Sequence, residues 1–136
     1  MNNTRFATAI HILTLLDQHP EVWLTSEWIA GSINVNSVVV RRELSVLQEA
    51  GLVISRKGKE GGSMLAKPSQ DIALDAVYDA VCHTEVLGRK NQHTNPLCPV
   101  GKQINTKLDD LFTETDALLK KFLGTKTLRD FSQQFG

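Results

Sequence analysis

Two clusters of cations sit where their spacing gives them work. Arg41 and Arg42 follow Ser37-Val38-Val39-Val40, and Arg56, Lys57 and Lys59 follow among Gly58, Gly61 and Gly62. A guanidinium fork matches guanine O6 and N7 in the major groove, or a phosphate. Val38 or Val39 can pack on a thymine methyl, and Ser37 stands where a helix N-terminus meets a phosphate. Arg42, one residue further around, points toward the backbone instead. Long cations on a glycine-rich tip can enter a narrow minor groove. Read without their neighbours, these charges are merely a solvated helix face and a solvated turn.

Cysteine offers a second chemistry. Cys98 precedes Pro99, and proline is favoured at the first position of a helix, so Cys98 falls near an N-cap. Unpaired N–H groups there favour a thiolate, which would make Cys98 a candidate sensing residue. The alternative is a small packed hydrophobe, a reading that suits Cys82, one turn after Tyr78, better still, although Cys82 is the second candidate sensing residue. His83 and His93 lie between the cysteines, but the separations do not match a compact zinc motif. No Ser-His-Asp arrangement, phosphate loop or metalloprotease motif is present, so an enzyme is not expected.

The elements that position the cations are legible. Phe6, Ala9, Ile10, Leu13 and Leu16 recur at helical spacing and predict a first helix from Thr4 to Gln18, capped by Thr4 and closed by Pro20. Thr25 caps a short helix to about Ser32. Ile33 to Asn36 make a turn, and Asn36 caps a helix from Ser37 to about Ala50 with Val40, Leu44 and Leu47 inward. Gly51 ends it. Val38-Val39-Val40 favours a strand by propensity, but the capped boundaries and inward leucines require a helix. Val53 onward reads as a strand, a hairpin tip and a return strand from Ser63 to Ala66. A helix-turn-helix followed by a basic wing is a DNA-reading arrangement. Leu74, Val77, Tyr78 and Val81 mark a fourth helix, and the stretch to Leu97 reads as a loop.

Ile104, Leu108, Leu111, Thr115, Leu118 and Phe122 are spaced four, three, four, three, four. That is a coiled-coil-like seam, and a narrow apolar stripe needs a partner. Packing on its own domain is one solution. Pairing with the same helix of a second subunit is preferred, because helix-turn-helix proteins read two half-sites as two-fold dimers. Thr127-Leu128-Arg129-Asp130 resembles a capping box, starting a terminal helix that docks through Leu128, Phe131 and Phe135.

The 136 residues suit one compact domain with an appended helix, and the formal net charge is zero. Charge is distributed unevenly: the middle is basic, opposed by Glu43, Glu49 and Glu60, while most Asp lies after Pro68. Two cysteines make no disulfide framework, and no apolar run suits export or a bilayer, so a cytoplasmic location is expected.

Together these residues resemble the Rrf2-type winged helix-turn-helix regulators, which include an iron–sulfur cluster regulator, a nitric-oxide-sensitive repressor and a cysteine-metabolism repressor. The resemblance runs through the Thr25–Val53 reader, Ser55-Arg56-Lys57-Gly58 with Gly61-Gly62, Val77-Tyr78-Asp79-Ala80-Val81, and Asn95-Pro96-Leu97-Cys98-Pro99-Val100-Gly101. It implies a homodimer joined through the long helix, a palindromic double-stranded DNA site and sensing in the loop before that helix. The iron–sulfur members carry three cysteines there. Only Cys98 matches, with Cys82 before the loop, so the resemblance is to a cluster-less branch and no cofactor is expected. Lys57 stands where the family usually has arginine, and Gly58-Lys59-Glu60-Gly61-Gly62 replaces its Gly-Pro-Gly-Gly-Gly wing tip.

The expected fold is therefore mainly α with a small β wing: a winged helix-turn-helix domain (1–81), a sensor-like loop (82–98), a dimerisation helix (99–123) and a short C-terminal docking helix (124–136). The expected function is that of a sequence-specific DNA-binding transcriptional regulator, a homodimeric repressor responding to a redox or small-molecule signal. The alternative is a winged-helix protein-interaction module without specific DNA binding.

Overall fold

The computed structural model describes residues 4–83 and 86–136; Met1 to Asn3 of the first unit, and Thr84 and Glu85 of the expected loop, lie outside the described residues. Helix α1 (Arg5–Gln18) runs through the centre. Ala9, Ile12, Leu13 and Leu16 are buried, and so are Thr8, Ile10 and Thr14 on its other sides. It is surrounded because helices on several sides and the wing pack on it. Thr4 occupies the N-cap position, but its side chain makes no capping bond; the expected Thr4 cap is corrected to a backbone start, with Thr8 N–H donating to the Thr4 carbonyl at 2.8 Å.

Helix α2 (Ser26–Ile33) starts where the Thr25 hydroxyl accepts from Trp28 N–H at 3.1 Å. It ends at Asn34 in the left-handed region, φ 64°, whose N–H donates to the Ala30 carbonyl. Helix α3 (Ser37–Glu49) follows immediately, with Asn36 Oδ1 accepting from Val38 N–H at 2.9 Å. Val40, Leu44 and Leu47 face the core. Burying each contributes roughly 1.5–3 kcal/mol, enough to override the strand preference of three successive valines. Gly51, at φ 78°, lets the chain leave α3 for the wing.

Strands β1 (Val53–Arg56) and β2 (Gly62–Leu65) pair antiparallel, Val53 opposite Leu65 and Arg56 opposite Gly62. Leu24 bridges to Ser63 on the other edge of β2. A Cβ on Gly62 would lie 2.6 Å from the Leu24 carbonyl oxygen, so only glycine permits this approach. Helix α4 (Leu74–Val81) packs on α1 and α3, and the 26-residue α5 (Pro99–Gly124) packs on α4. Its length is about 39 Å at 1.5 Å per residue.

The chain then returns to the core. Helix α6 (Leu128–Ser132) begins with a full capping box: the Thr127 side chain accepts from Asp130 N–H, and the Asp130 carboxylate accepts from Thr127 N–H. Leu128 is fully buried and its N–H donates to the Ile72 carbonyl at 2.8 Å, so the C-terminal segment is part of the winged domain's core. Mainly helical, with a two-stranded wing and a long added helix, the architecture is that of a winged helix-turn-helix chain.

Candidate nucleic-acid interface

The N-terminal half of α3 presents the residues that the core does not claim. Val38 is 59 % exposed, Arg41 and Arg42 are exposed, and Ser37 and Val39 are half-buried. Arg41 is held in place: Nη1 donates to Ser37 Oγ at 3.2 Å and to Glu27 Oε1 on α2 at 3.3 Å. The pair is open to solvent on both sides, and exposed pairs are worth little. It therefore orients the guanidinium without locking it away from a base or phosphate.

Between α3 and the wing lies an open groove of about 390 Å³, with Glu27, Arg41, Ser45 and Gln48 on the helical side and Arg56 and Lys57 on the wing. The wing cations differ in kind. The Arg56 guanidinium stacks over the Trp23 ring, 4.5 Å from its centroid, and donates from Nε and Nη2 to the Glu60 carbonyl. That arginine closes the wing's own turn. Lys57 and Lys59 are exposed.

Sequence reasoning missed Glu43. Counted among the acids opposing the basic middle, it is 1 % exposed and bonded to Arg5 of α1. The signal was available: Val40, Glu43, Leu44 and Leu47 are one i, i+3, i+4, i+7 face, and a carboxylate on it must have a cation nearby. Its burial leaves the outer face of α3 more basic than the sequence count suggests.

On α5 the expected seam divides. Leu111, Leu118 and Phe122 are 51, 69 and 61 % exposed, while Ile104 and Leu108 are half-buried. One residue further around, Phe112 is buried and Leu123 packs against the core. An Asp79–Lys120 ion pair at 3.1 Å ties α5 to α4. Two adjacent apolar stripes thus share one helix, one used within the chain and one left open.

Cys98 is exposed at the N-cap position of α5, and its side chain makes no capping bond. Cys82, at the end of α4, is half-buried, and burial pushes its thiol pKa up. Both are free thiols. Among the described residues no group of three or more His, Cys, Asp or Glu is placed to hold a metal ion. An iron–sulfur cluster needs a ligand set of four, built mainly from cysteine thiolates, and the described residues supply none. Nor is any helix among them long and apolar enough to cross a membrane.

The chain matches the Rrf2 family, described as an iron-dependent transcriptional regulator, over residues 2–134. The HTH-type transcriptional regulator YwnA of Bacillus subtilis (strain 168) is 42 % identical over 130 residues, spanning 96 % of each chain. Among solved structures, a transcriptional regulator from Lactobacillus plantarum is 28 % identical with a TM-score of 0.83, covering 97 % of this chain and 89 % of that one. CymR, the global cysteine regulator of B. subtilis, shares the fold at 21 % identity, with a TM-score of 0.71 and 98 and 97 % coverage.

Proposed function

This chain belongs to the Rrf2 family of transcriptional regulators, and from that premise we propose that it is a homodimeric repressor of a palindromic DNA site. The observation that carries the reading is the shared groove: Arg41, Ser45 and Gln48 of α3 and Arg56 and Lys57 of the wing border one open channel. In this reading Ser37, Val38, Val39 and Arg41 meet the major groove, with Arg41 reading a base edge. Arg42, Lys57 and Lys59 hold phosphates or reach the minor groove. Arg56 supports the wing that carries the lysines.

Two half-sites about 34 Å apart require two copies of α3 on one face. The stripe of Ile104, Leu108, Leu111, Leu118 and Phe122, open at its last three residues, supports pairing through α5. Cys98, exposed where α5 begins, is the residue through which a redox signal would reach the dimer helix, with Cys82 as the less accessible second thiol. The test is binding to the promoter of the protein's own gene at fixed salt, against random duplex of equal length. A specific site is expected, weakened in Arg41→Ala and Lys57→Ala. Equal affinity for promoter and random DNA overturns the reading.

A further inference from the structure

Among the described residues, one buried side-chain oxygen or nitrogen lacks a hydrogen-bond partner: Oδ1 of Asn105, in the second turn of α5. Its amide nitrogen is satisfied, donating to the Asn91 carbonyl at 2.8 Å, so the orphan is specifically an acceptor. A buried acceptor without a donor costs on the order of 1–3 kcal/mol, and such a group calls for a missing donor. Asn105 also lines a polar cavity of about 330 Å³ with His83, Arg89, Lys90, Asn91 and Gln92. The volume is at the small end for ligand sites.

The charge of this cavity is defined by its partners. Lys90 is neutralised by Asp109 of α5. Arg89 is exposed and has no ion-pair partner among the described residues. The cavity therefore offers one guanidinium without an ion-pair partner, which suits a carboxylate, and beneath its lining lies one acceptor that needs an N–H or O–H. A simple anion satisfies the first group and leaves the second orphaned. A simple cation meets Arg89 with repulsion.

We propose that this cavity binds a small α-amino acid, its carboxylate on Arg89 and its ammonium donating to Asn105 Oδ1. The proposal deepens the reading of the chain as a signal-responsive regulator and rests on it. Oδ1 is covered as the segment stands, so in this proposal the ammonium reaches it through a shift of the segment that holds Gly88, a glycine at φ +95°. Because Asn105 and Asp109 both belong to α5, occupancy ties the loop to the helix proposed to join the subunits.

The experiment is calorimetric titration of the full chain with glycine, L-alanine and L-serine. Acetate, methylamine and inorganic phosphate are titrated in parallel. At least one amino acid is expected to bind at least tenfold more tightly than any of the three single-function probes. Arg89→Ala, on the exposed segment, should lose at least tenfold in affinity for it. No heat from any amino acid overturns the proposal, as does acetate or phosphate binding equally well, or Arg89→Ala binding unchanged. Promoter binding by the ligand-free chain is measured separately. Specific DNA binding without an amino-acid site sinks this inference alone, whereas an amino-acid site without specific DNA binding sinks the regulatory reading.

Discussion

Arg5, in the first turn of α1, closes on Glu43 from the inner face of α3: its Nε lies 3.1 and 3.2 Å from the two carboxylate oxygens and its Nη2 3.0 Å from Oε1. The carboxylate is almost wholly buried, while about a third of the arginine side chain meets solvent. The bond with Glu43 raises the Arg5 pKa above its ordinary value, against a smaller opposing effect of burial. The contact fixes the start of α1 to the helix proposed to enter the major groove.

Arg5→Ala leaves a buried carboxylate without this cation. Breaking a buried pair usually costs about 3–5 kcal/mol, and the partial exposure of Arg5 puts the expected loss nearer 2–3 kcal/mol. The double variant Arg5→Met, Glu43→Leu should recover most of it, since an apolar pair of similar size needs no compensation. Urea denaturation of the three proteins checks this. An Arg5→Ala variant as stable as wild type would show that the contact does not hold α3.

The wing should separate structure from binding. Arg56→Ala removes the stack on Trp23 and the bonds to the Glu60 carbonyl, at a cost of about 1 kcal/mol in stability. Lys57→Ala should leave stability unchanged and reduce the salt slope of DNA binding by about one phosphate contact. Thermal melts with promoter affinity at several salt concentrations distinguish the two. If Arg56→Ala instead changed only the salt slope, that arginine would be released from Trp23 on DNA.

Much of this was legible in the residues. Thr25, Asn36 and Gly51 mark the reader's boundaries because caps and left-handed exits depend on local chemistry. The Thr127–Asp130 box is local in the same way. What the sequence hid was pairing across distance. Glu43 looked like surface charge because its partner lies at the far end of the chain segment, on α1. Arg56 looked like a third wing cation because Trp23 comes from before α2. The α5 stripe was visible, but the neighbouring stripe through Phe112 was not separated from it, since both repeat at intervals of three and four.

Those two stripes give opposite expectations. Phe112→Ala empties a buried site and should cost about 3–5 kcal/mol of fold stability. Leu111→Glu with Leu118→Glu alters exposed positions, so the fold should survive while the dimer dissociates, because paired seams bury those charges without partners. Sedimentation and circular dichroism read the two effects. A folded dimer of the double glutamate variant at full DNA affinity would rule out pairing through this stripe.

The cysteines should differ in access. Cys98 is exposed, whereas Cys82 is half-buried with its thiol pKa raised by burial. Iodoacetamide should therefore label Cys98 first, as mass spectrometry of the native protein will show. If Cys98 carries redox sensing, Cys98→Ser keeps its promoter affinity under an oxidant that releases wild type. Identical oxidant responses in both proteins would remove Cys98 from the mechanism.

The terminal helix should make the fold acid-sensitive. The Asp130 carboxyl is held below its ordinary pKa, first by the backbone N–H of Thr127 and then by its hydroxyl. A carboxyl lowered by folding contributes fully above its unfolded pKa, and that contribution is lost as pH falls through the folded value. The consequence extends inward: this box starts α6, α6 places Leu128 in the core, and Leu128 N–H bonds the Ile72 carbonyl. Protonating Asp130 should therefore loosen the return of the chain onto α1 before the reader helices melt. Asp130→Asn, whose side chain does not titrate, should be less stable than wild type at neutral pH and should approach it on acidification. Thr127→Ala should cost about 1 kcal/mol at neutral pH, the usual loss for an N-cap. Hydrogen exchange at Leu128 N–H, followed from neutral to acid pH in the three proteins, measures this local opening. Protection at Leu128 that falls equally in wild type and Asp130→Asn would place the acid sensitivity elsewhere in the chain.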